Sequence, residues 1–173
     1  MLDRRILGID PGSRITGFGL IGASQARREP ICIMSGHWRL KQDSMAERLS
    51  ELYFLIRNFI DTYQPTEVAI EKVFVQKNAL SALKLGQARG VAMAAAVSDG
   101  LPIYEYAPTE IKKAVVGKGR GAKDQVQHMV RFLLKLNSPL QVDEADALGV
   151  AICHLHSHNI KRLAGEHDNK VVR

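Results

Sequence analysis

The sequence predicts an α/β protein with a mixed five-stranded sheet flanked by helices. Apolar segments of strand length come first, later apolar segments alternate with helical periodicity, and an aspartate ends the first strand. Three antiparallel strands followed by alternating helices and strands fit one sheet covered by helices on its faces. We therefore expect a single domain over residues 1–158.

The first three strands are expected to form an antiparallel meander. RILGID, residues 5–10, is an apolar strand, and a Pro-Gly turn leads into RITGFGLIG. ICIMSGHWRL, residues 31–40, supplies the third strand. A helix follows, with Ser44 as N-cap and Pro65 after its end. Its apolar residues recur with helical spacing: Met45, Leu49, Leu52, Leu55, Ile56 and Phe59.

The later elements alternate between strand and helix. The pattern predicts strands at TEVAIEKVFV (66–75) and LPIYEYA (101–107), with a long Ala-rich helix between them that Gly100 closes. The remaining helices are expected at 108–116, at 122–136 and from Asp143 to about 158. The polar residues 159–173 are expected to form a flexible C-terminal tail.

Composition limits the classes of function. The chain of 173 residues is 46% hydrophobic and 24% charged, which is typical of a soluble globular protein. It lacks an apolar run of membrane-spanning length and a signal-peptide pattern, so we expect a cytoplasmic protein without membrane association. Cys32 and Cys153 form no CxxC pair, which suits a reducing compartment. The net charge of +6 allows a polyanionic partner without requiring one.

Four carboxylates stand at the ends of elements that are expected to converge. Asp10 ends the first strand, Glu71 follows the apolar part of the fourth, and Asp143 and Asp146 share one face of the last helix. Gathered acids raise one another's pKa, and divalent Mg²⁺ with its preference for oxygen ligands is the natural compensation. Two ions about 4 Å apart would form a clamp for phosphodiester hydrolysis.

Each acid taken alone also fits a structural role. Asp10 before Pro-Gly can start a turn through its side chain, and Glu71 can be a solvated strand end. Asp143 can be an N-cap, and the helix dipole favours Asp146. The joint placement of all four at converging ends favours the catalytic interpretation.

Several segments resemble the RuvC family of bacterial Holliday-junction resolvases. They are GIDPGSRITGFG, IEKVFVQKNALSALKLGQARGVAMAAA, VVGKG, KDQVQHMVRFLLKL and DEADALGVAI, and the resemblance covers residues 5 to 155. It implies a ribonuclease H-like fold and a homodimer that makes symmetric paired nicks in four-way DNA junctions during recombination and repair. It further implies a need for Mg²⁺, with Mn²⁺ as a substitute, and cooperation with the RuvA–RuvB branch-migration complex.

The resemblance also implies roles for individual residues. The catalytic, metal-binding acids of the family fall on Asp10, Glu71, Asp143 and Asp146; some relatives carry histidine at the third position. The aromatic residue that unstacks junction bases falls on Phe74, for which an ordinary core position is the alternative. Two DNA-binding lysines fall on Lys112 and Lys123.

A basic, glycine-rich segment adds Lys118 and Arg120 as candidate phosphate contacts. Glycines let backbone amides approach phosphates, and the next helix presents its N-terminus there. A solvated loop is the alternative interpretation.

Other functions were weighed on the same residues. His154 and His158 lie one helical turn apart, but no further metal-ligand spacing accompanies them, so we expect a helix-end role in place of a zinc site. An actin-like phosphotransferase also begins with a D-x-G hairpin, yet it needs a second domain for which 173 residues leave no room. A junction-binding protein that does not cleave is disfavoured by the four intact acids.

Overall fold

A computed structural model describes residues 3–24, 29–72, 78–117 and 123–164 of the chain. The strands are β1 (Arg4–Asp10), β2 (Ile15–Ala23), β3 (Ile31–Arg39), β4 (Glu67–Glu71) and β5 (Ile103–Tyr106). The helices are α1 (Met45–Tyr63), α2 (Ala79–Val97), α3 (Pro108–Val116), α4 (Lys123–Leu133) and α5 (Val142–Ala164).

The five strands form one mixed sheet with the order β3-β2-β1-β4-β5. The first three strands pair antiparallel, whereas β4 lies parallel to both β1 and β5. This arrangement confirms the predicted fold class and puts β1 at the centre of the sheet. The carboxyl ends of β1 and β4 therefore meet at the same edge.

Helices cover both faces of the sheet and divide the core into two layers. On one face α3, α4 and α5 pack against Ile6, Ala69 and Tyr106. On the other face α1 and α2 pack against Leu7, Ile9 and other strand residues of opposite orientation. Successive side chains of β1 contact different core layers because they point to opposite faces of the sheet. Burial of both faces explains why β1 is apolar along nearly its whole length.

Three glycines allow α5 to cross the sheet at close range. A Cβ atom at Gly8 would collide with the carbonyl oxygen of Ala147, and one at Gly19 would lie 2.6 Å from Cδ2 of Leu148. A Cβ atom at Gly17 would collide with backbone atoms of Asp143. The glycines of the GIDPGSRITGFG segment thus set how closely the N-terminal half of α5 approaches β1 and β2.

The capped start of α1 is as predicted, and other boundaries differ in detail. Ser44 and Glu47 form a reciprocal capping box before α1. The fourth strand ends at Glu71, and residues 73–75 of the predicted strand lie outside the described residues. The last helix begins at Val142 and continues to Ala164, beyond the predicted end near 158, because apolar periodicity understates a helix whose final turns are polar.

The part of the chain that the structure describes contains no helix long and apolar enough to cross a membrane.

Candidate active site

The parallel pairing of β1 with β4 brings two acids together. Ile9 pairs with Ile70, so Asp10 and Glu71, the next residue of each strand, lie side by side. A hydrogen bond joins the two carboxyl groups. Such a bond requires a proton on one of the pair, because two ionised carboxylates have only acceptor atoms.

The first turns of α5 add two further acids to this pair. Asp143 lies above Gly17, the residue that pairs with Asp10 across β1 and β2. Asp146 follows three residues later and, like Asp143, is close enough to repel Asp10. The structure therefore brings together all four carboxylates that the sequence predicted to converge.

The electrostatic consequence is largest at Asp10. Burial, followed by repulsion from Glu71 and the hydrogen bond with it, raises the pKa of Asp10 from an ordinary value of 3.8 to about 8. Asp146 and Asp143 contribute smaller increases in the same direction. A carboxyl group this perturbed at a surface cleft is typical of a functional site.

The acids fit a divalent cation with retained water. Within the described ranges, no three or more His, Cys, Asp or Glu side chains are grouped so that they could hold a metal ion by themselves. Mg²⁺ does not need a closed cluster, because it keeps several waters and uses one or two carboxylates together with substrate phosphate oxygens. Asp10 and Glu71, which a hydrogen bond joins, could hold such a cation, with Asp143 and Asp146 as the neighbouring donors.

A cavity of about 220 Å³ opens beside the acids. Glu71 and Asp146 line one side, while Lys112 of α3 stands among the remaining lining residues. The ammonium group of Lys112 can bind a phosphate group in this open cleft, next to the carboxylates that could hold a metal ion. The structure thus places Lys112 beside the acids, and its role in binding DNA stays a prediction.

Arg89 is a neighbour of the site that the sequence analysis did not identify. Its Nε donates to the backbone carbonyl of Glu71 over 3.2 Å, and its guanidinium pairs with Glu105. These contacts tie α2 and β5 to the end of β4 and hold the backbone that carries Glu71. No local pattern distinguishes Arg89 from a solvent-exposed arginine, because its partners are distant in sequence.

A buried polar network occupies the opposite end of β4. Glu67 Oε1 and Oε2 accept from Arg4 over 2.6 and 2.9 Å, and Oε2 lies 2.7 Å from Nε2 of His154. The hydroxyl of Tyr106 lies 2.7 Å from Nδ1 of the same ring. His154 is fully buried with both ring nitrogens engaged. This structural role agrees with the preference against a zinc site at His154 and His158.

The structure does not describe four of the candidate side chains. Phe74 lies in the range 73–77, and Lys118 and Arg120 lie in the range 118–122. Lys123 begins α4, but only its backbone is described. Their roles at the DNA remain predictions.

Comparison with known proteins identifies similar chains of one family. The family profile described as crossover junction endodeoxyribonuclease RuvC matches residues 6–154. The protein of that name from Shewanella frigidimarina is 55% identical over 153 residues, covering 88% of this chain and 87% of the relative. The relative from Methylococcus capsulatus is 51% identical over 152 residues, covering 88% and 90%.

Solved structures show the same architecture. Thermus thermophilus RuvC in complex with a Holliday junction substrate superposes with a TM-score of 0.84 at 29% identity, covering 91% of this chain and 96% of the other. The yeast mitochondrial Holliday junction resolvase Ydc2 shares the fold, with a TM-score of 0.66 at 13% identity. These similarities confirm the predicted ribonuclease H-like sheet.

Proposed function

The chain belongs to the RuvC family of crossover junction endodeoxyribonucleases, and on that basis we propose that it resolves four-way DNA junctions. It is a hydrolase that makes symmetric paired nicks in Holliday junctions during recombination and DNA repair. One observation carries this function: the half-buried Asp10–Glu71 pair, with a pKa of about 8 at Asp10, lies near Asp143 and Asp146 at the edge of the sheet. A protein that only bound DNA would gain nothing from four acids that repel phosphates.

The residues divide the chemistry between holding a cation and positioning the DNA. Asp10 and Glu71 at the ends of β1 and β4 would hold divalent metal, and Asp143 and Asp146 in the first turns of α5 would be the further ligands. When bound, two Mg²⁺ ions (or Mn²⁺) would activate a water and stabilise charge on the leaving 3′ oxygen. Because β1, β4 and α5 are packed elements, the acids keep their spacing while the DNA changes.

Cations beside the acids hold the DNA backbone. Lys112 lines the cavity with Glu71 and Asp146, which suits contact with a phosphate next to the cut. Lys118, Arg120 and Lys123 would extend this contact along the strand. Phe74, three residues after Glu71, would stack on an unpaired junction base, a contact worth about 1–3 kcal/mol.

The proposal includes a homodimer with one site per nicked strand. A four-way junction has approximate two-fold symmetry, which two identical sites on a two-fold axis can match. On α2, Leu80, Leu83 and Val97 expose 69, 61 and 56% of their surface, which makes this helix the candidate interface. Sedimentation equilibrium should give twice the 19.2 kDa chain mass, whereas a 19.2 kDa species that still makes paired nicks contradicts the dimer.

We propose that the protein acts on DNA in the cytoplasm. There a branch-migration complex of the RuvA–RuvB kind would supply the junctions. Both statements rest on the resemblance of the chain to its family.

The test compares cutting of a synthetic four-way junction with cutting of a linear duplex of the same sequence. We expect Mg²⁺-dependent nicks in two opposed strands of the junction and little cutting of the duplex. Asp10→Asn should abolish nicking while junction binding persists, because the substitution removes a metal ligand without adding negative charge near the phosphates. Asp61→Asn, a matched change at an exposed position on α1, should cut normally. Nicking by Asp10→Asn at the wild-type rate would refute the assignment.

A further inference from the structure

The register of the sheet places residues of the edge strand β3 in line with the active-site acids. Gly17 pairs with Asp10 on one side and with His37 on the other. Arg39, which lies two residues after His37 in β3, pairs with Ile15. Neighbouring strands lie about 4.8 Å apart, so β3 at this level is about 10 Å from Asp10. Arg39 lies about 7 Å further along β3, so its side chain can reach a phosphate that extends beyond the acids at this edge of the sheet.

An aromatic cluster fixes which way the side chains of β3 face. Trp38 stacks on Phe18 with ring centroids 4.4 Å apart, and Phe59 of α1 contacts both rings. Side chains alternate along a strand, so His37 and Arg39 face the opposite side of the sheet from Trp38. That opposite side is the one on which α5 carries its acids.

A second arginine lies at the same end of the meander. The carbonyl oxygen of Arg14 accepts a hydrogen bond of 2.8 Å from the backbone N–H of Leu40, which directly follows Arg39. Both arginines are exposed. In the described part of the chain neither of them forms an ion pair with a carboxylate. We call Arg14 and Arg39 together the β3 rim.

The β3 rim and Lys112 flank the acids from opposite sides. Lys112 belongs to α3, on the side of β4 and β5, whereas the rim belongs to the side of β2 and β3. Two further acids on this side already have partners: Glu144 accepts from Ser35 over 2.6 Å and from the backbone of Gln141, and Glu51 accepts from the backbone N–H of Lys41. Four carboxylates repel a phosphodiester, so cations on a single flank leave one side of the bound strand unsupported.

We propose that the β3 rim is a second phosphate-binding surface, which holds the DNA backbone on the side of the cut opposite Lys112. The surface rests on the proposed junction-cutting function and adds to it a place for the strand beyond the scissile phosphate. Arg14 and Arg39 contact phosphates and do not read bases, so they contribute to affinity and orientation for every sequence. The arginine fork suits phosphate oxygens better than a lysine would.

Salt-dependent binding tests the rim directly. Arg14→Gln and Arg39→Gln are compared with the wild type for binding to a four-way junction in EDTA, from about 50 to 200 mM salt. Each substitution should lower affinity about tenfold at low salt and make the slope of log K against log salt shallower by about 0.9. Lys135→Gln is the matched control, because Lys135 is 72% exposed, pairs with Glu29 and lies in the turn that follows α4.

Each outcome decides between the rim and a general effect of charge. Shallower slopes for both arginine variants and an unchanged slope for Lys135→Gln support the rim. Equal losses in all three variants, or wild-type slopes in both arginine variants, overturn it. The wild type reports separately on the proposed function: normal junction cutting with an unaltered arginine slope removes only the rim. Failure of the wild type to bind and cut a junction removes both proposals.

Discussion

Strand β4 carries a glutamate at each end, and the two lie in opposite electrostatic environments. Glu67 begins the strand, is 7% exposed and accepts from Arg4 and His154. Burial alone would raise the pKa of Glu67, but the hydrogen bonds from His154 and Arg4 outweigh it and lower the pKa to about 2. Glu71 ends the same strand beside Asp10, where acids accumulate and the pKa of Asp10 rises to about 8.

The comparison distinguishes an acid that the protein pairs with its own basic groups from an acid that lies among other acids. The chain supplies partners for Glu67 from β1 and α5, so that end of the strand stabilises the fold. At Glu71 the neighbouring side chains are mainly further acids, which a structural site would avoid because it costs stability. Within one strand, the crowding of acids therefore marks the end that we propose as functional.

The largest expected effect is on catalysis at the Glu71 end. Glu71→Gln removes a metal-binding oxygen, and loss of several kcal/mol of transition-state stabilisation lowers the cleavage rate about 10³-fold. Metal-free stability should not fall, since one repelling charge is gone. Single-turnover cleavage of a four-way junction and thermal unfolding in EDTA measure the two quantities. Cutting within a few-fold of wild type would place the metal elsewhere.

The converse substitution at the other end should affect stability and spare catalysis. Glu67→Gln leaves Arg4 and buried His154 without their carboxylate, and we expect the free energy of unfolding to fall by about 3 kcal/mol. Urea denaturation measures the loss, and junction cleavage by the folded variant serves as its control. A loss below about 1 kcal/mol, the range of an exposed ion pair, would show that the Glu67 network is weakly coupled to folding.

The Glu67 end should also determine part of the acid sensitivity of the fold. Its pKa in the folded protein, about 2, lies below the ordinary 4.5, so the unfolded chain binds more protons between these values. The stabilisation is complete above pH 4.5 and declines as pH falls towards 2. Between about pH 5 and 3 the wild type should lose about 1–2 kcal/mol more than Glu67→Gln. Parallel urea midpoints for the two proteins across this range would contradict the assignment.

The smallest effect is the gain in stability from metal. Mg²⁺ at ten times its dissociation constant should raise the free energy of unfolding by about 1.4 kcal/mol, which is a few degrees in Tm. EDTA should reverse the gain. Glu71→Gln should lose this gain and Glu67→Gln should keep it. Equal gains in both variants would mean that the cation binds away from the four acids.

Local patterns in the sequence were sufficient for the order of the elements and for the choice of the four acids. Periodicity and capping residues act over a few positions, so Ser44, Pro65 and the apolar spacing predict α1 closely. Asp10 and Glu71 were recognisable because a carboxylate at the end of an apolar strand is unusual. The resemblance to a family then connected these acids with a reaction.

The sequence did not indicate which distant residues would meet. Glu67 and His154 are separated by 87 positions, and neither position has a local pattern that indicates a buried pair. The sequence also did not indicate that Arg89 contacts Glu71 and Glu105. Nor did it indicate the side of the sheet on which Arg39 lies, which follows from the packing of Trp38. Such contacts depend on the packing of whole elements.

The sequence by itself therefore determined the elements, their order and the acids at their ends. Tertiary structure decided the electrostatic character of each acid, because a pKa depends on burial and on neighbours that only packing brings within a few ångströms. It made Glu67 a stabilising partner of Arg4 and His154, and it brought Asp10 and Glu71 together so that the pKa of Asp10 rises. Gly17 illustrates both contributions. The sequence shows a glycine, and only the fold shows that the backbone of Asp143 in α5 occupies the space that a side chain would need.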